Sequence, residues 1–287
     1  MPKAAKAHSD HRPILFIGVG RQRVGKTTLL NTVIQALREQ GAELVIWNAD
    51  LLNVTYNLPL FHEDVLEPPS ADVDDVKSWL EERIQDQIDG QYNAFLDVGG
   101  GDTPLSRLVR EIPIVRTLER HGIRVVLAHV IGPEQADVDY LRHFTAQELF
   151  APEATLIVLN AGLIMAGRSA SNAFTSIKSH PIVTDALMQG AKLVMMPPLT
   201  CMSQVTDRGL TFSDAAEGVA KGDHPRLSFF DQERVAIWWT KAIPAFMASI
   251  PPLWLPAPSR RAAVEEVAIH PKAETEAEAE AGEHARV

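Results

Sequence analysis

Along this chain, short runs of consecutive apolar residues alternate with longer stretches in which apolar positions recur every three or four residues. The first run, Ile14-Leu15-Phe16-Ile17, is long enough for one buried strand. Leu29, Leu30, Val33, Ile34 and Leu37 then share one side of a helix predicted from Gly25 to about Gln40, which Gly41 ends. Leu44 to Trp47 predicts a second strand that runs into Asn48-Ala49-Asp50, and a loop rich in proline and acid follows through Pro69. Val76, Trp79, Leu80 and Ile84 mark an amphipathic helix over Asp72 to Gln87. A third strand is predicted from Tyr92 to Val98, a helix from Leu105 to His121, and a fourth strand from Arg124 to Val130. Pro133 to Leu149 reads as helix, and Thr155 to Leu159 as a fifth strand ending in Asn160. Ser169 to Met188 reads as mostly helix, interrupted at Pro181. Lys192 to Met196 is a sixth strand ending in Pro197-Pro198-Leu199, and Asp231 to Ser249 a last helix.

Strand and helix thus alternate, and the strands are unbroken apolar runs. That pattern predicts an α/β fold: a doubly wound, mostly parallel sheet with helices on both faces. Ligands of such sheets sit outside the carboxyl ends of the strands. Asp50, Asp97, Asn160 and the Pro197-Pro198 turn all fall at those ends.

The turn between the first strand and the first helix carries the chemistry. Gly20-Arg21-Gln22-Arg23-Val24-Gly25-Lys26-Thr27 fits the P-loop template G-x-x-x-x-G-K-[ST] at every position, with a strand before it and a helix after it. Backbone N–H groups of such a turn, with the helix N-terminus, form an anion cradle. Lys26 can reach the β- and γ-phosphates, and the Thr27 hydroxyl can ligate Mg²⁺. Gly20, Arg23, Val24, Gly25, Lys26, Thr27 and Thr28 are therefore the expected nucleotide contacts. A dinucleotide fingerprint fits less well, because Gly18-Val19-Gly20 is not followed by a glycine three residues on.

Composition narrows the picture. The 287 residues, 46% apolar and 22% charged, are ordinary globular values. The net charge of −10 gives no global attraction to nucleic acid or anionic membrane. Cys201 is the only cysteine, which excludes an intramolecular disulfide and a cysteine-based zinc site. The N-terminal residues lack an apolar h-region, and no apolar run approaches the ~20 residues that span a bilayer. A reducing cytoplasm is the expected compartment. The expected organisation is a flexible leader over 1–12, a P-loop ATPase domain over 13–250, and a Pro-rich strap with a disordered acidic tail over 251–287.

Beyond the P-loop, three features resemble the ParA/MinD-like ATPases: a basic residue after the first glycine, a second strand ending in an aspartate motif, and a third ending in Asp-x-Gly-Gly. In that family the loop reads G-K-x-x-x-G-K-[ST], and its first lysine reaches a dimer partner's nucleotide. Arg21 stands at that place here, with Arg23 as the second candidate. The resemblance implies a Mg²⁺-dependent ATPase that dimerises with ATP. It implies a water-positioning role near the metal for Asp50, with Asn48 in place of the family's first acid, and a metal-site role for Asp97 beside Thr27. Gly99-Gly100-Gly101 resembles the switch II segment, and Asp102 either supports that switch or caps the next helix. Asn160 resembles the base-contacting asparagine, with Pro197 and Pro198 walling the base. Lys26, Asp50 and Arg21 are then the catalytic set. LDVGGGD with the divergent Arg21 looks most like the plasmid conjugal-transfer and stability branch (TraL/StbB-like), which implies a protein partner in plasmid transfer or partition and leaves DNA binding open. Two alternatives remain: a small-molecule synthetase or kinase resembling dethiobiotin synthetase, and a nucleotide-binding scaffold with little hydrolysis.

Overall fold

The computed structural model of this chain describes residues 11–53, 55–100, 103–145 and 152–258. Its strands are β1 (Ile14–Val19), β2 (Val45–Asn48), β3 (Val65–Leu66), β4 (Ala94–Asp97), β5 (Arg124–Ile131), β6 (Ala154–Asn160) and β7 (Lys192–Met196). They form one sheet in the order β3-β2-β4-β1-β5-β6-β7, and every pairing is parallel. The chain runs outward from β1 to β2 and β3, returns to β4, crosses β1 to β5, and continues outward to β7. All carboxyl ends therefore lie along one edge, with β1 in the middle.

The apolar runs of the sequence are buried on both faces because alternate side chains feed different cores. Ile14 and Phe16 of β1 join α1 (Lys26–Glu39) and the C-terminal helices on one face. Leu15, Ile17 and Val19 join α2 (Val73–Gly90), α3 (Thr103–Glu111) and α4 (Ile114–Arg120) on the other. Phe16 stacks on Phe95 of the neighbouring strand with ring centroids 5.0 Å apart. A third cluster, over β6 and β7, is built by α5 (Gln135–Thr145), α6 (Ala170–Ala173), α7 (Thr175–Lys178) and α8 (Pro181–Met188). After β7 come α9 (Met202–Thr206), α10 (Phe212–Glu217), α11 (Phe229–Ile237) and α12 (Ile243–Ala248).

Several elements depart from the pattern-based reading. The predicted loop through Pro69 contains β3, too short for periodicity to reveal and held by its pairing with Ile46 and Trp47. The helix predicted over Leu105 to His121 is two helices, broken where Pro113 has no N–H to donate. Ser169 to Met188 is three short helices, and α9 and α10 stand where no element was expected. The last helix begins at Phe229, because the Ser228 side chain caps it by accepting from the Asp231 N–H, and it widens into a π-helical stretch from Trp238 to Ala242 just before Pro244. Gly101, Asp102 and residues 259–287 lie outside the described residues. Of the expected strap, Leu253 accepts a hydrogen bond from Arg124 through its carbonyl, and Trp254 and Leu255 pack against the α1-side core.

Candidate functional site

β1 delivers the chain into its glycine turn at the centre of the carboxyl edge. Gly20 has φ 153°, and a side chain there would stand 2.7 Å from the Val130 carbonyl of β5. Gly25 has φ 93°, and a Cβ there would collide with the Asn160 amide. Between them Arg23 takes a left-handed φ of 64°. The loop is thus wedged between β5 and β6 and turns back so that α1 starts at Lys26.

Lys26 is buried, and its ammonium donates to the carbonyl oxygen of Arg21 at 3.3 Å. Thr27 donates from Oγ1 to Asp97 Oδ2 at 2.7 Å. Asp97 is 1% exposed, and burial pushes its carboxyl up to about 6, against the pull of the Thr27 hydroxyl and the Lys26 ammonium. Its second oxygen, Oδ1, is buried without a hydrogen-bond partner. Asp50 lies beside this group: its carboxyl is raised by burial and drawn down by Lys26, and it approaches the backbone of Gly99. The Asn48 side-chain oxygen accepts from the Asp50 N–H at 3.2 Å, and Asn48 is itself fixed to Glu67. Gly100 is so close to the backbone of Gln22 that no side chain fits there. The ends of β1, β2 and β4 therefore bring Lys26, Thr27, Asp50, Asp97 and the start of the glycine segment together.

The other expected contacts are placed differently. Arg21 turns along its own chain, with its guanidinium 3.0 Å from Asp137 and 3.2 Å from Glu134, and the Asp137 hydrogen bond is the main reason its pKa is raised. Asp137 also accepts from the Gly132 N–H, so this pair ties the loop to the segment after β5. Asn160 donates from Nδ2 to the Val24 carbonyl at 2.8 Å and accepts from the Gly162 N–H at 3.0 Å. It braces the P-loop from beneath. Pro197 accepts from the Trp238 indole N–H at 3.1 Å.

A cavity of about 690 Å³ opens over the loop. Gln22, Arg23, Gly25, Lys26, Thr27 and Thr28 line its inner end, next to Asp50 and Gly100. It then extends along α1 over Asn31 toward the segment after β2 and toward α9, passing Pro197 and Pro198 by. Asn31, Tyr56, Phe61 and the α9 side chains went unrecognised as site residues in the sequence. A signal for one of them existed: Thr28, Asn31, Gln35 and Arg38 form a polar stripe at helical spacing along α1, beside its apolar side of Leu29, Leu30, Val33, Ile34 and Leu37.

A seven-stranded parallel sheet, covered by helices on both faces, with this loop at the carboxyl end of its central strand, is the α/β architecture of the P-loop nucleoside triphosphatases. Among solved structures the chain is similar to the septum site-determining protein MinD from Pyrococcus horikoshii in complex with Mg-ADP, at 18% identity over 80% of this chain and 96% of that one, with a TM-score of 0.46. It is similar to the cell division protein MinD from Aquifex aeolicus at 15% identity over 78% and 95%, with a TM-score of 0.43. It is similar to the signal recognition particle receptor FtsY from Elizabethkingia anophelis in complex with GDP at 16% identity over 84% and 66%, with a TM-score of 0.41. No protein-family profile and no curated protein matches the chain. Among the described residues no helix is long and apolar enough to cross a membrane.

Proposed function

We propose that this chain is a Mg²⁺-dependent ATP-binding and hydrolysing switch of the ParA/MinD type. The observation that carries the proposal is the contact of Thr27 with Asp97 beneath the loop, with the other oxygen of Asp97 buried and unpartnered. A buried carboxylate oxygen without a donor is costly unless something occupies it. A metal-bound water is a suitable occupant, and a hydroxyl on the same carboxylate is the second half of such a site. Mg²⁺, when bound by Thr27 and supported by Asp97, would neutralise charge on the transferred phosphoryl group.

The chain's own residues do the rest. The N–H groups of the loop and the start of α1 face the phosphates. Lys26 exchanges its weak contact with the Arg21 carbonyl for phosphate oxygens. Asp50, partly desolvated and beside Lys26, orients the attacking water. Gly99 and Gly100, pressed against Asp50 and Gln22, move when the loop's contents change. Arg23 lines the cavity, and no ion pair holds it among the described residues. We assign the contact with a partner subunit's nucleotide to Arg23 first, with Arg21 anchoring the loop unless its pairs to Asp137 and Glu134 open. The plasmid transfer, partition or stability role, with its protein partner, rests on the sequence resemblance alone.

The test is titration with a fluorescent ATP analogue. Lys26→Ala should weaken binding by at least about 2 kcal/mol, the size of a charge-assisted hydrogen bond. Unchanged affinity would overturn the site. Light scattering with ADP and with a slowly hydrolysed ATP analogue reports the dimer. A protein that stays monomeric with both, and turns over only when a small acceptor is added, would replace the switch with the small-molecule enzyme.

A further inference from the structure

The cavity is longer than a phosphate cradle, and its outer half has a chemistry of its own. One side is α1 at Asn31, one turn beyond Thr28 and about 4.5 Å further along the helix axis. Facing it are Tyr56 and Phe61 from the segment after β2, and Met202, Ser203 and Thr206 from α9. The Tyr56 hydroxyl donates to Asp207 Oδ1 at 2.5 Å, which ties these two walls together. Two aromatic rings and a thioether offer faces to a flat heterocycle, while the amide and hydroxyls offer edges.

Asn31 is 2% exposed, and its amide orientation is fixed from both ends of a buried hydrogen-bond chain. At one end the Phe212 backbone N–H, which can only donate, bonds Gln35 Oε1 at 2.8 Å. Gln35 must then present Nε2, which donates to Asn31 Oδ1 at 2.8 Å. At the other end the Arg38 guanidinium, also a donor only, sits 3.3 Å from His62 Nδ1 and is anchored to Asp64. His62 must then carry its proton on Nε2, which donates to Asn31 Oδ1 at 3.0 Å. Burial keeps the ring neutral, with its pKa lowered to about 4. Both lone pairs of Asn31 Oδ1 are engaged, so the atom with remaining capacity is Nδ2, an obligate donor at the cavity wall.

We propose that the outer half of the cavity is the nucleoside subsite, and that Asn31 recognises the nucleoside by donating from Nδ2 to one of its acceptor atoms. This rests on the P-loop reading of the inner half. It moves the nucleoside away from Pro197 and Pro198 and onto α1, and it makes Gln35 and His62 positioning residues that hold Asn31 in donor orientation.

The test compares ATP with inorganic tripolyphosphate, which fills the cradle but has no nucleoside. Calorimetric titration should show that the wild-type protein binds ATP more tightly. Asn31→Ala and the near-isosteric Asn31→Asp should lower the ratio of ATP to tripolyphosphate affinity about tenfold, the value of one hydrogen bond. His62→Leu should lower it too, and His62→Gln, whose amide nitrogen can replace Nε2, should restore it. The ratio corrects for charge and for general loosening, which act on both ligands. A wild-type ratio near one overturns the nucleoside subsite while leaving the cradle intact, and this outcome needs no variant to fold. A ratio unmoved by both Asn31 substitutions overturns the role of Asn31. Binding of neither ligand overturns the P-loop reading and this proposal with it.

Discussion

Asp97 and Asp50 sit within reach of the same lysine, yet their surroundings differ. Asp97 is fully enclosed and bonded to Thr27, whereas Asp50 lines the cavity. Asp97→Asn should weaken Mg²⁺-dependent nucleotide binding, because the ion loses a charged partner. Asp50→Ala should leave binding largely intact and slow turnover, because only the positioning of water is lost. Titrations with and without Mg²⁺, beside single-turnover rates, separate the two; equal losses of binding would refute the division. A second residue-scale consequence concerns His62. Its pKa is depressed from the usual 6.5 to about 4, so the unfolded chain takes up a proton that the folded chain refuses. The stabilisation is complete above pH 6.5 and is lost as the pH falls toward 4, by up to roughly 3 kcal/mol at about 1.4 kcal/mol per unit. His129, lowered to about 3 by burial, acts in the same direction. Asp97, raised to about 6, opposes both, so the His62 share is read as a difference: between pH 7 and pH 5 urea unfolding should show wild type losing more stability than His62→Gln, and equal changes in the two proteins would refute it.

At the scale of elements, α1 serves two masters. Its apolar side seals one face of the sheet, and its polar stripe lines the cavity and holds the segment after β2. The C-terminal helices keep it in place. Phe212 lies against Trp238 at 4.9 Å and Trp239 at 5.0 Å, and the Trp239 indole donates to the Glu39 carboxylate at the end of α1. Trp238 also bonds Pro197, so one side chain joins the last helix to the end of β7. Trp238→Ala should cost about 3–5 kcal/mol, the usual cost of emptying a large aromatic site, together with one hydrogen bond. Chemical denaturation measures it. A loss below about 1 kcal/mol would mean that this helix is not part of the cooperative core. The long periodic helices, α1 and α2, were legible in the sequence to within a few residues. Helices α9 and α10 were not, because five or six residues are too few for a periodic pattern, and their burial depends on α1 and α11.

On the scale of the whole molecule, the buried hydrophobic side chains of the described residues run from Ile14 to Ile250, with Trp254 and Leu255 packed against them. Truncation after Pro258 should therefore leave the melting temperature within about 2 °C and nucleotide affinity unchanged. The expectation rests on composition alone: the removed segment is rich in Glu and Ala and has no aromatic residue and no leucine. Differential scanning calorimetry checks this, and a larger fall would show that the segment docks on the body. The same scale shows what the chain's pattern alone can settle. Unbroken apolar runs specify strands buried on both faces, and hence a parallel sheet with helical layers. The spacing Gly20 to Thr27 specifies the glycine turn from β1 into α1, because local dihedrals determine it. The placement of Asp50 and Asp97 beside that turn was legible because a parallel sheet must bring its strand ends together. The orientation of side chains that meet across elements was decided only in three dimensions. Arg21 pairs with Asp137, Asn160 braces Val24, and Asn31 is turned toward the cavity by Phe212 and His62. Each of those partners lies at least thirty residues away, and a hydrogen bond between distant side chains leaves no periodic trace in the sequence that makes it.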